Sequence, residues 1–173
     1  SVDFFQELKE VVAALDARSI DYALCGGVAL AIHGAPRATQ DIDLLARPED
    51  LDRLREAARA CGFIFESVPM DFANGLTIQR FTKLIEGQPF MLDVLLVSAP
   101  FETTWATRLT TPFEEGTVRV VSREGLIALK LAAASTNSYV VVIDTDPVIT
   151  TEAGGHWWDV AVPEVSSRAE VQA

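Results

Sequence analysis

Cysteine, histidine and methionine are scarce in this 173-residue chain, with two of each. Cys25 and Cys61 stand alone, without a repeated spacing, which excludes a disulfide framework and a cysteine-rich metal cluster; both read as reduced thiols of a cytoplasmic protein. No apolar run reaches the ~18 residues of a membrane span, and no signal-peptide pattern opens the chain. Positive charge is short as well. Fourteen Lys and Arg face 25 Asp and Glu, for a net charge of −11. That balance argues against a broad basic nucleic-acid footprint and leaves room only for a small local patch on RNA or DNA. What is present is ordinary globular material, 49% hydrophobic and 23% charged, enough for one domain with a real core.

The informative stretch runs from Tyr22 to Leu45, YALCGGVALAIHGAPRATQDIDLL. An apolar strand, Tyr22 to Cys25, meets the pair Gly26-Gly27. A short small-residue helix follows to about His33, then a loop with Gly34, Pro36, Arg37 and Thr39, then a strand from Asp41 to Ala46. Side chains at i and i+2 of a strand share a face, so Asp41 and Asp43 present two carboxylates together. Like charges that close repel, and a divalent cation such as Mg²⁺ or Mn²⁺ relieves the conflict. The simpler alternative places both on the wet face of an edge strand. Backbone N–H groups at a glycine turn entering a helix favour an anion. With Arg37 and Thr39 nearby, the segment outlines a nucleotide-polyphosphate site.

The rest of the chain frames that segment. Phe4, Phe5, Leu8, Val11, Val12 and Leu15 recur at helical spacing and predict a helix over about Val2–Ala17. Pro48 opens a helix whose inner stripe is Leu51, Leu54, Ala57, Ala58 and Cys61, stopped by Gly62. Arg53, Arg55 and Arg59 alternate with acids and read as its solvated face. Strands are expected at Phe63–Ser67, Leu76–Ile85 and Phe90–Val97, with turns at Asn74-Gly75 and Glu86-Gly87-Gln88. Asp93 interrupts the most apolar of them and needs a partner: either the cation on Asp41 and Asp43, or an arginine such as Arg80. Trp105, in a short helix Phe101–Arg108, is a core or lid anchor. A hairpin over Thr110–Val121 turns around Glu115-Gly116. Ser122 then caps a helix Arg123–Ala134 that buries Leu126, Ile127, Leu129 and Leu131. Its lone Lys130 would on general grounds snorkel to the surface, and His33 reads as a capping or partly buried residue with substrate contact as the alternative.

The glycine pair, spacer and Asp41-Ile42-Asp43 resemble the signature of the DNA polymerase beta-like nucleotidyltransferase superfamily. GGVALAIHGAPRATQDIDLL is most similar to the AbiEii/AbiGii-type toxins and their stand-alone relatives, over roughly Phe4 to Ala134. The resemblance implies an α+β, minimal nucleotidyltransferase fold: a short mixed β-sheet with helices packed on it. It implies Mg²⁺-dependent (or Mn²⁺-dependent) transfer of a nucleoside monophosphate from an NTP to a hydroxyl. Asp41, Asp43 and Asp93 would bind metal and be the catalytic residues; Gly26, Gly27, Arg37, Thr39 and Lys130 would bind nucleotide. The acceptor would be a tRNA or other RNA end or a small molecule, and an antitoxin is an implied partner. The alternative is an inactive remnant or a regulatory partner of a toxin–antitoxin-like locus.

After Ala134 the wording changes. The helices expected of the toxin-like family do not follow, and residues 135–173 carry six acids against Arg168 alone. IDTDP…TTEAGGHWWDVAVPEVS resembles the C-terminal stretch of the thiamine-diphosphate-dependent trihydroxycyclohexanedione hydrolase of inositol catabolism. The cofactor motif of that enzyme is absent, so no thiamine diphosphate is expected. The chain therefore reads as a truncated nucleotidyltransferase-like domain over 1–134, joined near Ala134–Asn137 to a foreign-looking tail. In the tail, Tyr139–Ile143 is an expected strand, and His156, Trp157 and Trp158 are either displaced core residues or a ligand-stacking box.

Overall fold

The computed structural model describes residues 2–35, 38–72 and 75–133. The tail, the join before it, the expected strand Tyr139–Ile143 and His156, Trp157 and Trp158 lie outside the described residues. In chain order the elements are α1 (Phe4–Ala17), β1 (Ala23–Cys25), α2 (Gly26–Ile32), β2 (Ile42–Ala46), α3 (Leu51–Ala60), β3 (Phe65–Glu66), β4 (Met70–Asp71), β5 (Thr77–Ile85), β6 (Gln88–Leu96), α4 (Glu102–Ala106), β7 (Leu109–Phe113), β8 (Gly116–Val120) and α5 (Arg123–Ala133). All strands join one eight-stranded sheet ordered β3-β5-β6-β2-β1-β8-β7, with β4 also on β5. The sheet is mixed: β2 runs parallel to β6 and β1 parallel to β8, while β1–β2, β5–β6 and β7–β8 are antiparallel. The expected α+β class holds.

Local chemistry explains the boundaries. α1 starts at Phe4, two residues later than expected, because the Asp3 carboxylate accepts a hydrogen bond from the Gln6 N–H and caps the helix there. Leu8, Val11, Val12 and Leu15 are buried, but Phe5 falls off their stripe and is exposed. α1 packs against α3, whose Leu54, Ala57 and Ala58 are buried. The β5–β6 hairpin turns through two residues, Glu86 and Gly87, both at positive φ (50° and 78°), the conformation that matches strand twist in a two-residue loop. The last hairpin turns at Glu114-Glu115, one residue earlier than expected, because Phe113 pairs with Gly116.

On α5, Leu126, Leu129 and Lys130 occupy one i, i+3, i+4 stripe and are buried, whereas Leu131 is 44% exposed. The lysine takes the inward position that Leu131 was expected to fill. Lys130 therefore does not snorkel.

A carboxylate row at the centre of the sheet

The site begins where β1 ends. After Cys25 the chain turns at Gly26 with φ +61°, a left-handed conformation that side chains disfavour, and α2 starts at once. Gly27 is glycine for another reason. A Cβ there would lie 2.7 Å from the Thr39 Cβ and 2.8 Å from its Oγ1, distances that only displacement could relieve. Thr39 thus rests on the first turn of α2, and its hydroxyl donates to the carbonyl oxygen of Asp41 at 3.1 Å. Glycine turn and approach to β2 are pinned together by this contact, which fixes where Asp41 enters the strand.

β2 lies between β1 and β6 in the sheet, so the edge-strand reading of Asp41 and Asp43 is excluded. Asp41 precedes the first strand residue, Ile42, and is partly buried; Asp43 is 2% exposed. Register then builds a row across four strands. Cys25 pairs with Asp43, Asp43 with Asp93, and Asp93 with Arg80, and laterally paired residues share a face. Asp93 is fully buried. Its partner is Arg80: Nε donates to Oδ1 at 2.8 Å and Nη2 to Oδ2 at 3.0 Å, a two-pronged fork.

The charges reinforce one another. The guanidinium of Arg80 is held still more firmly protonated than usual, first by its hydrogen bond to Asp93 and then by the charges of Asp93, Asp41 and Asp43. The Cys25 thiol is pushed well above its ordinary value, mainly by burial and then by Asp43 and Asp93, so it stays protonated and unreactive.

The other expected contacts divide. Gly26, Gly27, Thr39, Asp41, Asp43 and Asp93 come together around β1, β2 and β6. Lys130 is buried on α5, which contacts α2. Arg37, with Pro36, lies outside the described residues. His33 is a structural tie: its Nε2 donates to the Val121 carbonyl at 2.7 Å, and its own carbonyl accepts from Arg123 Nη2 at 3.1 Å. Trp105 is a buried anchor, with the Arg108 guanidinium 4.1 Å and the Arg47 guanidinium 5.3 Å from its ring centre.

For a divalent cation the donor set fits in part. Asp41 and Asp43 supply two hard carboxylates from one strand end, while both oxygens of Asp93 already accept from Arg80. Among the described residues no group of three or more His, Cys, Asp or Glu side chains is arranged to hold a metal ion. Nor is any described helix long and apolar enough to cross a membrane.

A central mixed sheet with a glycine turn feeding a carboxylate-bearing strand defines the nucleotidyltransferase class of fold. TM1012 of Thermotoga maritima, a proposed nucleotidyltransferase, superposes with a TM-score of 0.55 at 15% identity over 75% of this chain and 83% of its own. ANT(2")-Ia in complex with adenylyl-2"-tobramycin superposes with a TM-score of 0.50 at 18% identity, covering 73% of each chain. Residues 10–162 match the family described as nucleotidyl transferase AbiEii toxin, type IV TA system, and the chain belongs to that family. The match continues past the join expected near Ala134–Asn137. No curated protein matches the chain.

Proposed function

We propose that this protein transfers a nucleoside monophosphate from an NTP to a hydroxyl acceptor. The observation that carries the reading is the placement of Asp43 beside Asp93 on adjacent parallel strands, with Asp41 two residues before Asp43 and Cys25, the residue before the glycine turn, paired with Asp43 on its other side. Asp41 and Asp43 would hold a Mg²⁺ or Mn²⁺ ion. When bound, such an ion would neutralise triphosphate charge and make the α-phosphorus a better electrophile. The N–H groups of Gly26 and Gly27 open α2, whose N-cap, Cys25, makes no side-chain capping bond, and they offer donors to phosphate. Arg37 and Lys130 would add positive charge, and Thr39 sets the loop. In the transfer the acceptor oxygen bonds to the α-phosphorus, the bond to the bridging oxygen breaks, and pyrophosphate leaves. The acceptor proton would pass to Asp93 once Arg80 has released its carboxylate.

The acceptor is an RNA end or a small-molecule hydroxyl, and a cognate antitoxin is a proposed partner. Titration of the purified chain with each NTP, with and without Mg²⁺, beside Asp41→Ala/Asp43→Ala tests the site. Metal-dependent binding that survives in the double variant would refute it. Labelling of RNA compared with aminoglycosides from an α-phosphate-labelled NTP then separates the acceptors. A second reading, a non-catalytic or regulatory protein, is favoured by the Arg80 fork on Asp93, which occupies the carboxylate that should take the proton. NTP binding without transfer to either acceptor would support it.

A further inference from the structure

We propose that Arg80 is the built-in counter-cation of Asp93, and that it keeps Asp93 off a divalent ion until it lets go, so that Asp41 and Asp43 hold an ion without it. The inference rests on the reading that Asp41 and Asp43 bind the metal.

Three observations carry it. Asp93 is fully buried in the middle of a sheet, so its charge must always face a cation. The fork from Arg80 uses both carboxylate oxygens, leaving neither to a metal ion without competition. And the two partners differ in freedom: the Arg80 side chain is 22% exposed and the Asp93 side chain 0%. The guanidinium has a route toward solvent and the carboxylate has none, so Arg80 is the partner that moves.

The test is Mn²⁺ binding to the full chain, read by the paramagnetic signal of unbound Mn²⁺, for wild type, D41N, D93N, R80Q and R80Q/D93N. With Arg80 present, D93N should change Mn²⁺ affinity by no more than about threefold. R80Q should tighten binding about tenfold, and adding D93N should abolish that gain. An equal effect of D93N in both backgrounds overturns the proposal, because Asp93 would then be a metal ligand that Arg80 does not control. Unchanged binding in D41N refutes instead the metal site on which the proposal rests. Should R80Q be too unstable for titration, its melting temperature is the second readout. A larger Mn²⁺-induced rise than in wild type supports the exchange of one cation for another; an equal rise overturns it. R80K, which keeps the charge but not the fork, should fall between wild type and R80Q.

Discussion

Two arginine–carboxylate contacts sit at opposite depths in this molecule. At the outer edge, Arg55 Nε on α3 donates to both oxygens of Glu66 on β3, at 2.9 and 2.8 Å, and Arg55 Nη1 reaches Asp52 at 2.6 Å. In the centre, Arg80 makes its fork to Asp93. The side chains of the outer pair are 29% and 24% exposed, whereas Asp93 has no exposure at all. Solvent screens the first pair and can replace either partner with water. Nothing can replace Arg80 except another cation. The two contacts therefore differ in consequence: the outer pair trims a surface, and the inner one makes a buried carboxylate possible in the most apolar strand of the chain.

The largest effect should come from breaking the inner pair on the basic side. Arg80→Ala leaves Asp93 buried and uncompensated, and should lower stability in urea by about 3–5 kcal/mol. A loss below about 1 kcal/mol would mean that the sheet centre is wetter than its burial implies and would erase the contrast with the edge. Between the extremes lies the link from glycine turn to carboxylates. Gly27→Ala places a methyl group on Thr39 and should cost about 1–3 kcal/mol by overpacking. Because Thr39 also holds the Asp41 carbonyl, Mg²⁺-dependent NTP binding should weaken in the same variant, so calorimetric titration beside a thermal melt checks both effects. The smallest change should follow Arg55→Ala. Loss of an exposed pair should cost no more than about 1 kcal/mol, with NTP binding unaltered; a larger cost would show that the α3–β3 edge is coupled to the core.

Much of the site was open to reading along the chain. Gly26, Gly27, Asp41 and Asp43 lie within one short segment, and their residue types state the chemistry without help from the rest of the fold. The position of Asp93 as a buried charge was also visible, since its neighbours are apolar. Its partner was one counting step away: pairing outward from the two-residue turn at Glu86-Gly87 sets Arg80 opposite Asp93, because a tight hairpin fixes register. Reading Asp93 from its own strand alone favours the metal over the arginine, whereas the structure pairs it with Arg80. The error on α5 was of another kind. Hydrophobicity alone ranks Leu131 as buried, yet a helix turns through a fixed angle per residue, and the inward stripe passes through Lys130.

The sequence by itself determined most of the elements, the glycine turn and the carboxylate pair at the start of β2, because local conformation and side-chain chemistry act over a few residues. It did not determine that β2 lies in the middle of the sheet, that Asp43 and Asp93 stand side by side, or that Cys25 completes their row. Those are facts of strand order, set by which apolar faces pack together across long stretches of chain. Burial then decided the energetics. A carboxylate removed from water must find a cation; hairpin register offers Arg80, and only the assembled sheet buries Asp93 so completely that it needs one.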